Sequence, residues 1–261
     1  MVTATFSFES TLVVFLAPAL RGHAITQRCA DTATVKHAVE ALGVPHTEVG
    51  CVLVNGEPVA LDRRMQDGDD VRVYSTTPGA GIESRTVSGS TAFIADSHLG
   101  GLARLLRMAG FDTLYDNHFR DSDIQAIASG ESRVVLTRDR ELLKRRAIGH
   151  GCYVRTLEPA AQLREVAWRF GLARAARPFS LCLRCNAPLR PVDKEAVRGR
   201  VPAMAWSRHD RFHTCDVCRR VFWAGTHWQR MRKLLQEALE DAETGGVAPA
   251  LPRHPGHLDK G

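Results

Sequence analysis

The stretch AFIADSHLGGLARLLRMAG, residues 92–110, decides the fold of the larger part of this chain. Residues 92–95 form a short apolar run that favours a strand. Leu99, Leu102, Ala103 and Leu106 then recur with the spacing of one helix face, and Gly110 is a typical helix end. One strand is therefore followed at once by one amphipathic helix.

The same alternation of strand and helix continues downstream. We predict strands at 112–115, 133–137 and 152–156, and helices at 121–129, 141–146, 159–170 and 228–240. Such alternation is typical of an α/β domain whose parallel sheet is covered by helices on both faces.

The first 75 residues have a different pattern, which predicts an α+β domain. Residues 3–9 alternate and residues 12–16 are β-rich, so we expect a hairpin there. Val35, Val39 and Leu42 predict a helix that stops at Gly43. Strands at 51–54 and 71–74 flank the tight turn Asn55-Gly56 and the loop that follows it. This order predicts a β-grasp domain.

Composition changes divide the chain into five parts. We place the β-grasp domain at 1–78, a linker rich in Gly, Ser and Thr at 79–91, and the α/β domain at 92–178. A cysteine-containing segment with its helix occupies 179–240, and we expect the Pro-containing tail at 241–261 to be disordered.

Four cysteines have the spacing of a metal site. They form two pairs, Cys182-Leu-Arg-Cys185 and Cys215-Asp-Val-Cys218. Two such turns supply four thiolates to one tetrahedral Zn²⁺, which leaves no open position for chemistry, so we predict a structural zinc. A thioredoxin-like redox motif is the alternative, but it needs only one such pair beside a strand–helix unit. Cys29, Cys51 and Cys152 are then expected to be buried thiols.

Charge is unevenly distributed along the chain. The net charge is +6, yet residues 164–233 carry 16 Lys and Arg against 5 Asp and Glu, and residues 1–80 carry 6 against 9. A basic surface beside a metal site indicates a polyanionic partner, usually nucleic acid. A solvated arginine-rich surface is the alternative.

The cysteine usage and the apolar runs bear on location. Free thiols in metal spacing favour a reducing compartment, so we expect a cytoplasmic protein. Residues 12–20 are apolar but too short to cross a bilayer, and we expect no membrane segment.

Carboxylates follow the predicted strands. Asp96 comes directly after the first strand, Asp139 follows the strand at 133–137 with Glu141 next to it, and Asp121 opens the helix between them. The carboxyl ends of parallel strands share one edge, where ligands bind. Hard oxygen ligands suit Mg²⁺ or Mn²⁺, which assist phosphodiester cleavage. Helix capping by Asp96 and Asp121, and surface ion pairing by Asp139, are the alternatives.

The motifs resemble a known family. Four stretches are similar to the Mut7-C ribonuclease family. They are FIADSHLGGLARLLRMAGFD at 93–112, VLTRDRELL at 135–143, RCN at 184–186 and GTHW at 225–228. The resemblance implies a PIN-like nuclease domain with a C-terminal zinc ribbon and metal-dependent ribonuclease activity. The acidic positions of the family match Asp96, Asp121 and Asp139, with Asp123 as the alternative to Asp121 and Glu141 as a candidate fourth ligand.

Arginines close to these motifs are candidates for contacts with RNA. Arg104 and Arg107 lie one turn apart on the first helix, where phosphate binding and simple exposure are equally good explanations. The full candidate set is Arg104, Arg107, Arg138, Arg184, Arg219 and Arg220.

The N-terminal part resembles the ubiquitin-like sulfur carriers through VLVNGEPV at 52–59 and MQDGDDV at 65–71. Those carriers end in an activated Gly-Gly, whereas this chain has Pro78-Gly-Ala-Gly81 and continues. The resemblance thus predicts a fused binding or regulatory module with a protein partner, rather than sulfur transfer. For the whole chain we expect an RNA-cleaving enzyme. A non-catalytic RNA-binding adaptor and a role linked to sulfur carriers are the alternatives.

Overall fold

The computed structural model describes residues 1–76 and 91–243. They form a five-stranded sheet, a four-stranded sheet and a three-stranded sheet in chain order. Nearly all of the predicted linker, and the predicted tail from residue 244 onward, lie outside these residues.

The N-terminal domain has the β-grasp architecture. Its elements are β1 (Val2–Phe8), β2 (Ile25–Cys29), α1 (Val35–Ala41), β3 (Val49–Val54), β4 (Glu57–Val59) and β5 (Asp70–Ser75). The sheet order is β2-β1-β5-β3-β4, with β1 and β5 parallel and the other pairs antiparallel. Asn55 and Gly56 both have positive φ, 54° and 90°, as the predicted tight turn requires. The α+β prediction is confirmed.

One predicted strand of this domain is wrong. Residues 12–16 contain a 3-10 turn, Val13–Phe15, and the strand that pairs with β1 is β2. Leu12, Phe15 and Leu16 are all buried. Their spacing of three and four residues is helical rather than alternating, which the β-rich composition obscures.

The second domain contains an all-parallel sheet, as predicted. Its elements are β6 (Phe93–Ala95), α2 (Gly100–Ala109), β7 (Thr113–Leu114), α3 (Asp121–Glu131), β8 (Val134–Thr137), α4 (Arg140–Lys144), β9 (Gly151–Tyr153) and α5 (Pro159–Phe170). The order β7-β6-β8-β9 places the first strand, β6, beside the third, β8. Helices α2 and α5 cover one face, and α3 and α4 cover the other. The carboxyl ends of all four strands therefore share one edge.

The third unit is an antiparallel ribbon with a long helix. It consists of β10 (Leu189–Val192), α6 (Ala203–Arg208), β11 (Phe212–Cys215), β12 (Val221–Trp223) and α7 (Thr226–Glu243). Leu235 and Ala238 of α7 pack into the core formed by α2 and α5, so the helix ties the ribbon to the α/β domain. Helix α7 runs three residues into the region predicted as a disordered tail. No helix in the described part of the chain is long and apolar enough to cross a membrane.

Candidate active site and cysteine cluster

The Asp96 carboxylate and the Asp139 backbone bond to one threonine hydroxyl. Thr137 Oγ1 donates to Asp96 Oδ2 at 2.7 Å and accepts from the backbone N of Asp139 at 2.9 Å. Asp96 follows β6, and Thr137 ends the neighbouring strand β8. The parallel register thus brings together two acids that are 43 positions apart in the sequence.

The two carboxylates differ in exposure and in hydrogen bonding. Asp96 is 8% exposed, and its Oδ1 accepts from Ser97 N at 2.6 Å. Asp139 is exposed, and its Oδ1 accepts from the backbone N of Glu141 at 2.8 Å. Both residues therefore cap helical turns, which the capping alternative expected for Asp96 but not for Asp139. Capping occupies one oxygen of Asp139 and leaves its Oδ2 without a hydrogen bond to any described residue.

Asp121 and Glu141 are engaged with basic side chains. Asp121 Oδ2 accepts from Arg145 at 2.6 Å, and Glu141 Oε1 pairs with Lys144 at 2.8 Å. Within residues 1–76 and 91–243, only the four cysteines form a group of three or more His, Cys, Asp or Glu side chains placed to hold a metal ion. The expected convergence of three carboxylates is thus not seen, because an arginine holds the third one.

Asp116 is a further carboxylate at this edge. It lies two residues beyond β7, the strand next to β6, and is exposed. The backbone N–H and the ring of His118 donate to it, and these bonds hold the pKa of Asp116 below its ordinary value. Sequence reasoning missed this residue, although the strand-end rule that selected Asp96 applies equally to the strand predicted at 112–115.

Four of the six candidate arginines line one cavity between α2 and the ribbon. Its volume is about 590 Å³, and it contains no carboxylate among its lining residues. Arg104, Arg184 and Arg220 are exposed, and their guanidinium groups have no hydrogen bond or ion pair with any described residue. Tyr115 also lines the cavity and donates its hydroxyl to the carbonyl of Ser97, next to Asp96. The basic cavity and the acidic edge are therefore neighbours.

The other candidate arginines differ from these three. Arg107 is 6% exposed, and its Nε and Nη1 donate to the carbonyls of Thr113, Leu183 and Arg184. Arg138 donates to the carbonyls of Arg155 and Thr156. For both, main-chain carbonyls already use some of the guanidinium donors, and contacts of these two residues with RNA stay a prediction. Arg219 is exposed but lies outside the cavity lining.

The cysteine cluster has the geometry of a tetrahedral metal site. The four Sγ atoms lie within 4.8 Å of one another, and those of Cys182 and Cys218 are 3.7 Å apart. Thiolates bound to one zinc at its usual bond length are about 3.8 Å apart. Soft sulfur donors in this number fit zinc and leave no open coordination position.

The two cysteine turns repeat one backbone pattern. The backbone N of Cys182 donates to the carbonyl of Ala187, and that of Cys215 donates to the carbonyl of Arg220. The residue after each pair, Asn186 or Arg219, has a left-handed φ near 60°. Two turns of the same shape thus present their thiols to one point, as the spacing predicts.

Protonation of the thiols differs inside and outside the cluster. Burial opposes ionisation of Cys218, but hydrogen bonds from the Arg220 backbone and neighbouring thiols bring its pKa down to about 7. Burial raises the pKa of Cys152 to about 12, so this thiol is neutral. Cys29 is buried as predicted, whereas Cys51 is exposed, contrary to expectation.

The β-grasp domain contacts the acidic edge. Arg140, next to Asp139, donates to the carbonyls of Val14 and Phe15, and its guanidinium lies 5.3 Å from the centre of the Phe15 ring. Nearby, Glu48 is 1% exposed and accepts from Arg169 Nη1 at 2.6 Å. The N-terminal domain therefore helps to hold the loop that carries Asp139.

Comparisons with known proteins agree with this architecture. The family model of the Mut7-C RNAse domain matches residues 91–235, which is more than half of the chain. The chain belongs to the Mut7-C RNAse domain family. A second model, the Mut7-C ubiquitin domain, matches residues 1–78. Both parts of the predicted resemblance are confirmed, and no curated protein matches the chain.

Two solved structures are similar to part of this Mut7-C protein. Small archaeal modifier protein 1 from H. volcanii is 18% identical and covers 30% of this chain and 100% of its own, with a TM-score of 0.25. A Pyrococcus furiosus protein described as a putative molybdopterin converting factor, subunit 1, is also 18% identical. It covers 30% of this chain and 100% of its own, with a TM-score of 0.24. The β-grasp assignment rests on the strand order and the family model rather than on these matches.

Proposed function

We propose that this protein is a metal-dependent ribonuclease that hydrolyses RNA phosphodiester bonds at the carboxyl edge of its parallel sheet. One observation carries the proposal: the Thr137 hydroxyl bonds both the Asp96 carboxylate and the Asp139 backbone at that edge, beside a cavity with three arginines that have no partner among the described residues. The family supports it, since the matching model is that of an RNAse domain.

The donor set at this edge fits Mg²⁺ or Mn²⁺. Asp96 and Asp139 would hold the ion through carboxylate oxygens, which are the ligands that hard cations prefer. Asp116 and Asp121 are further candidates, and Asp121 would first have to leave Arg145. Glu141 is exposed and paired with Lys144, so we assign it a lesser part. When bound, such an ion neutralises phosphate charge and makes water more acidic.

The protein's own groups orient the acids and the substrate. The Thr137 hydroxyl donates to Asp96 and fixes the orientation of this carboxylate. Arg104, Arg184 and Arg220 would neutralise phosphates next to the cleaved bond, while Arg107 and Arg138 position the surrounding backbone. Zinc on the four cysteines would be structural and would fix Arg184 and Arg220 at the cavity wall.

A second candidate function is that of an RNA-binding adaptor without catalysis. The salt bridge between Asp121 and Arg145 favours it, because this bond removes one of the three expected ligands from the edge. The adaptor would use the same arginines and would not require divalent ions. That the β-grasp domain binds another protein stays a prediction.

The test compares the wild-type protein with Asp139→Asn on single-stranded RNA, with and without Mn²⁺. We expect Mn²⁺-dependent cleavage by the wild type and a loss of at least about 100-fold in the variant, because one carboxylate ligand is removed. Asp62→Asn, an exposed position in the β-grasp domain, is the matched control and should cleave normally. Salt-sensitive RNA binding without cleavage by the wild type would instead establish the adaptor.

A further inference from the structure

Two cavities at the ribbon adjoin each other, and we call them together the groove. The basic cavity described above shares four lining residues with a second cavity of about 550 Å³, namely Leu183, Phe222, His227 and Met231. The second cavity is lined mainly by apolar and aromatic side chains, and it also contains no carboxylate among its lining residues. The groove therefore has a cationic end near the acidic edge and an aromatic end between the ribbon and α7.

Phe222 lies at the junction of the two ends and faces the groove. Its neighbours on β12, Val221 and Trp223, pack against the small core of the ribbon, whereas Phe222 belongs to no buried cluster among the described residues. Phe222 pairs across the sheet with His213, which also lines the groove. Since side chains alternate along a strand, the core explains Trp223 but not Phe222.

The aromatic end has further flat surfaces. The rings of Phe179 and Trp228 have centroids 4.8 Å apart, and the guanidinium of Arg232 lies 5.5 Å from the centre of the Trp228 ring. Aromatic rings beside unpaired arginines suit a chain in which planar bases alternate with phosphates. An apolar peptide would leave the arginines of the groove without anions.

We propose that this groove binds single-stranded RNA, with a base stacked on Phe222 and the adjoining phosphates held by Arg104, Arg184 and Arg220. In a duplex the base faces are stacked within the helix and cannot reach Phe222, so the groove selects unpaired nucleotides. Continuity with the acidic edge through Tyr115 and Ser97 places these nucleotides beside the cleaved bond. This proposal rests on the proposed function for the identity of the polymer.

The test measures RNA binding by the full chain carrying Asp139→Asn, in buffer without added divalent ions. Fluorescence anisotropy compares a labelled 12-nucleotide single strand with a duplex of the same length. We expect the single strand to bind at least about 10-fold more tightly, and Phe222→Ala to weaken its binding by about 10-fold. Phe222→Trp should restore binding, while Phe222→Leu, which keeps an apolar side chain but no ring, should not.

Tyr74→Ala is the matched control, since Tyr74 is an exposed aromatic residue of the β-grasp domain. Equal binding of single strand and duplex, or unchanged affinity in both Phe222→Ala and Phe222→Leu, would overturn the proposal. The proposed function fails separately, because wild-type protein that binds the single strand through Phe222 but does not cleave it would refute only the ribonuclease.

Discussion

The α/β domain has arginine-rich contacts on two sides, and the two sides use arginine differently. Toward the β-grasp domain, Arg140, Arg155 and Arg169 are each bonded to a carboxylate or to main-chain carbonyls. Toward the ribbon, the guanidinium groups of Arg104, Arg184 and Arg220 have no such partner in the described ranges. An arginine whose donors are already bonded joins domains, whereas one without a described partner is available to a ligand. Net charge alone cannot distinguish these roles.

Removing zinc should produce the largest effect and should affect only the ribbon side. Structural zinc contributes about 10–16 kcal/mol to folding, so chelation should unfold the ribbon and abolish RNA binding. We expect Cys215→Ser to do the same, while Cys51→Ser, at an exposed cysteine outside the cluster, should keep both zinc and RNA affinity. Zinc content and anisotropy measure this, and RNA binding that survives in the zinc-free protein would contradict it.

Glu48→Ala should disrupt the β-grasp side alone. Arg169 would lose the carboxylate at 2.6 Å in a buried setting, and breaking such a pair costs about 3–5 kcal/mol. Urea unfolding should show this loss in the free energy of unfolding. The exposed control Glu57→Ala should lose less than about 0.5 kcal/mol. RNA affinity measured below the unfolding transition should not change. A large loss of affinity would show that the two sides are not independent.

The double substitution Arg104→Ala and Arg220→Ala should lower RNA affinity and leave stability nearly unchanged, the reverse of Glu48→Ala. It removes two charges that have no partner among the described residues, so RNA affinity should fall and the slope of log K against log salt concentration should decrease by about two, one for each phosphate contact. The unfolding free energy should change by less than about 0.5 kcal/mol. Arg190→Ala is the control, because Arg190 is a ribbon arginine already paired with Asp216. If this control lowers RNA affinity equally, partnering does not decide the role of an arginine.

Arg140→Ala should have the smallest effect. The substitution removes two hydrogen bonds to the Val14 and Phe15 carbonyls and the cation–π contact with Phe15. We therefore expect the free energy of unfolding to fall by about 1–2 kcal/mol. Arg140→Lys keeps the charge, so its free energy of unfolding should fall by a smaller amount. Urea unfolding of the three proteins checks this, and the same stability in all three would mean that Arg140 does not hold the domains together.

Features that depend on local spacing could be predicted from the sequence. The cysteine pairs, the Asn55-Gly56 turn and the strand–helix alternation follow from periods of a few residues, and the structure has all of them. The β-rich composition of residues 12–16 predicts a strand, because the helical spacing of the buried side chains extends over too few residues to be recognised. In this run the β-rich composition is a more obvious feature than the spacing of its buried side chains.

Features that depend on tertiary partners could not be predicted. Arg104 and Arg107 are equivalent in the sequence, yet only Arg107 finds carbonyls of the first cysteine turn. Asp96 and Asp121 each stand where the sequence predicts the start of a helix, but Arg145 reaches Asp121 from the end of α4. The Thr137 hydroxyl can bond the Asp96 carboxylate as well as the Asp139 backbone only because β6 and β8 lie side by side.

Anomalous scattering from crystals soaked in Mn²⁺ tests the acidic edge most directly. We predict an ion bonded to carboxylate oxygens of both Asp96 and Asp139, at the distances usual for hard cations, and no ion there in Asp139→Asn. Saturating Mn²⁺ that leaves this edge empty in the wild type, with Asp96 bonded only to Thr137 and Ser97, would contradict the metal-dependent ribonuclease.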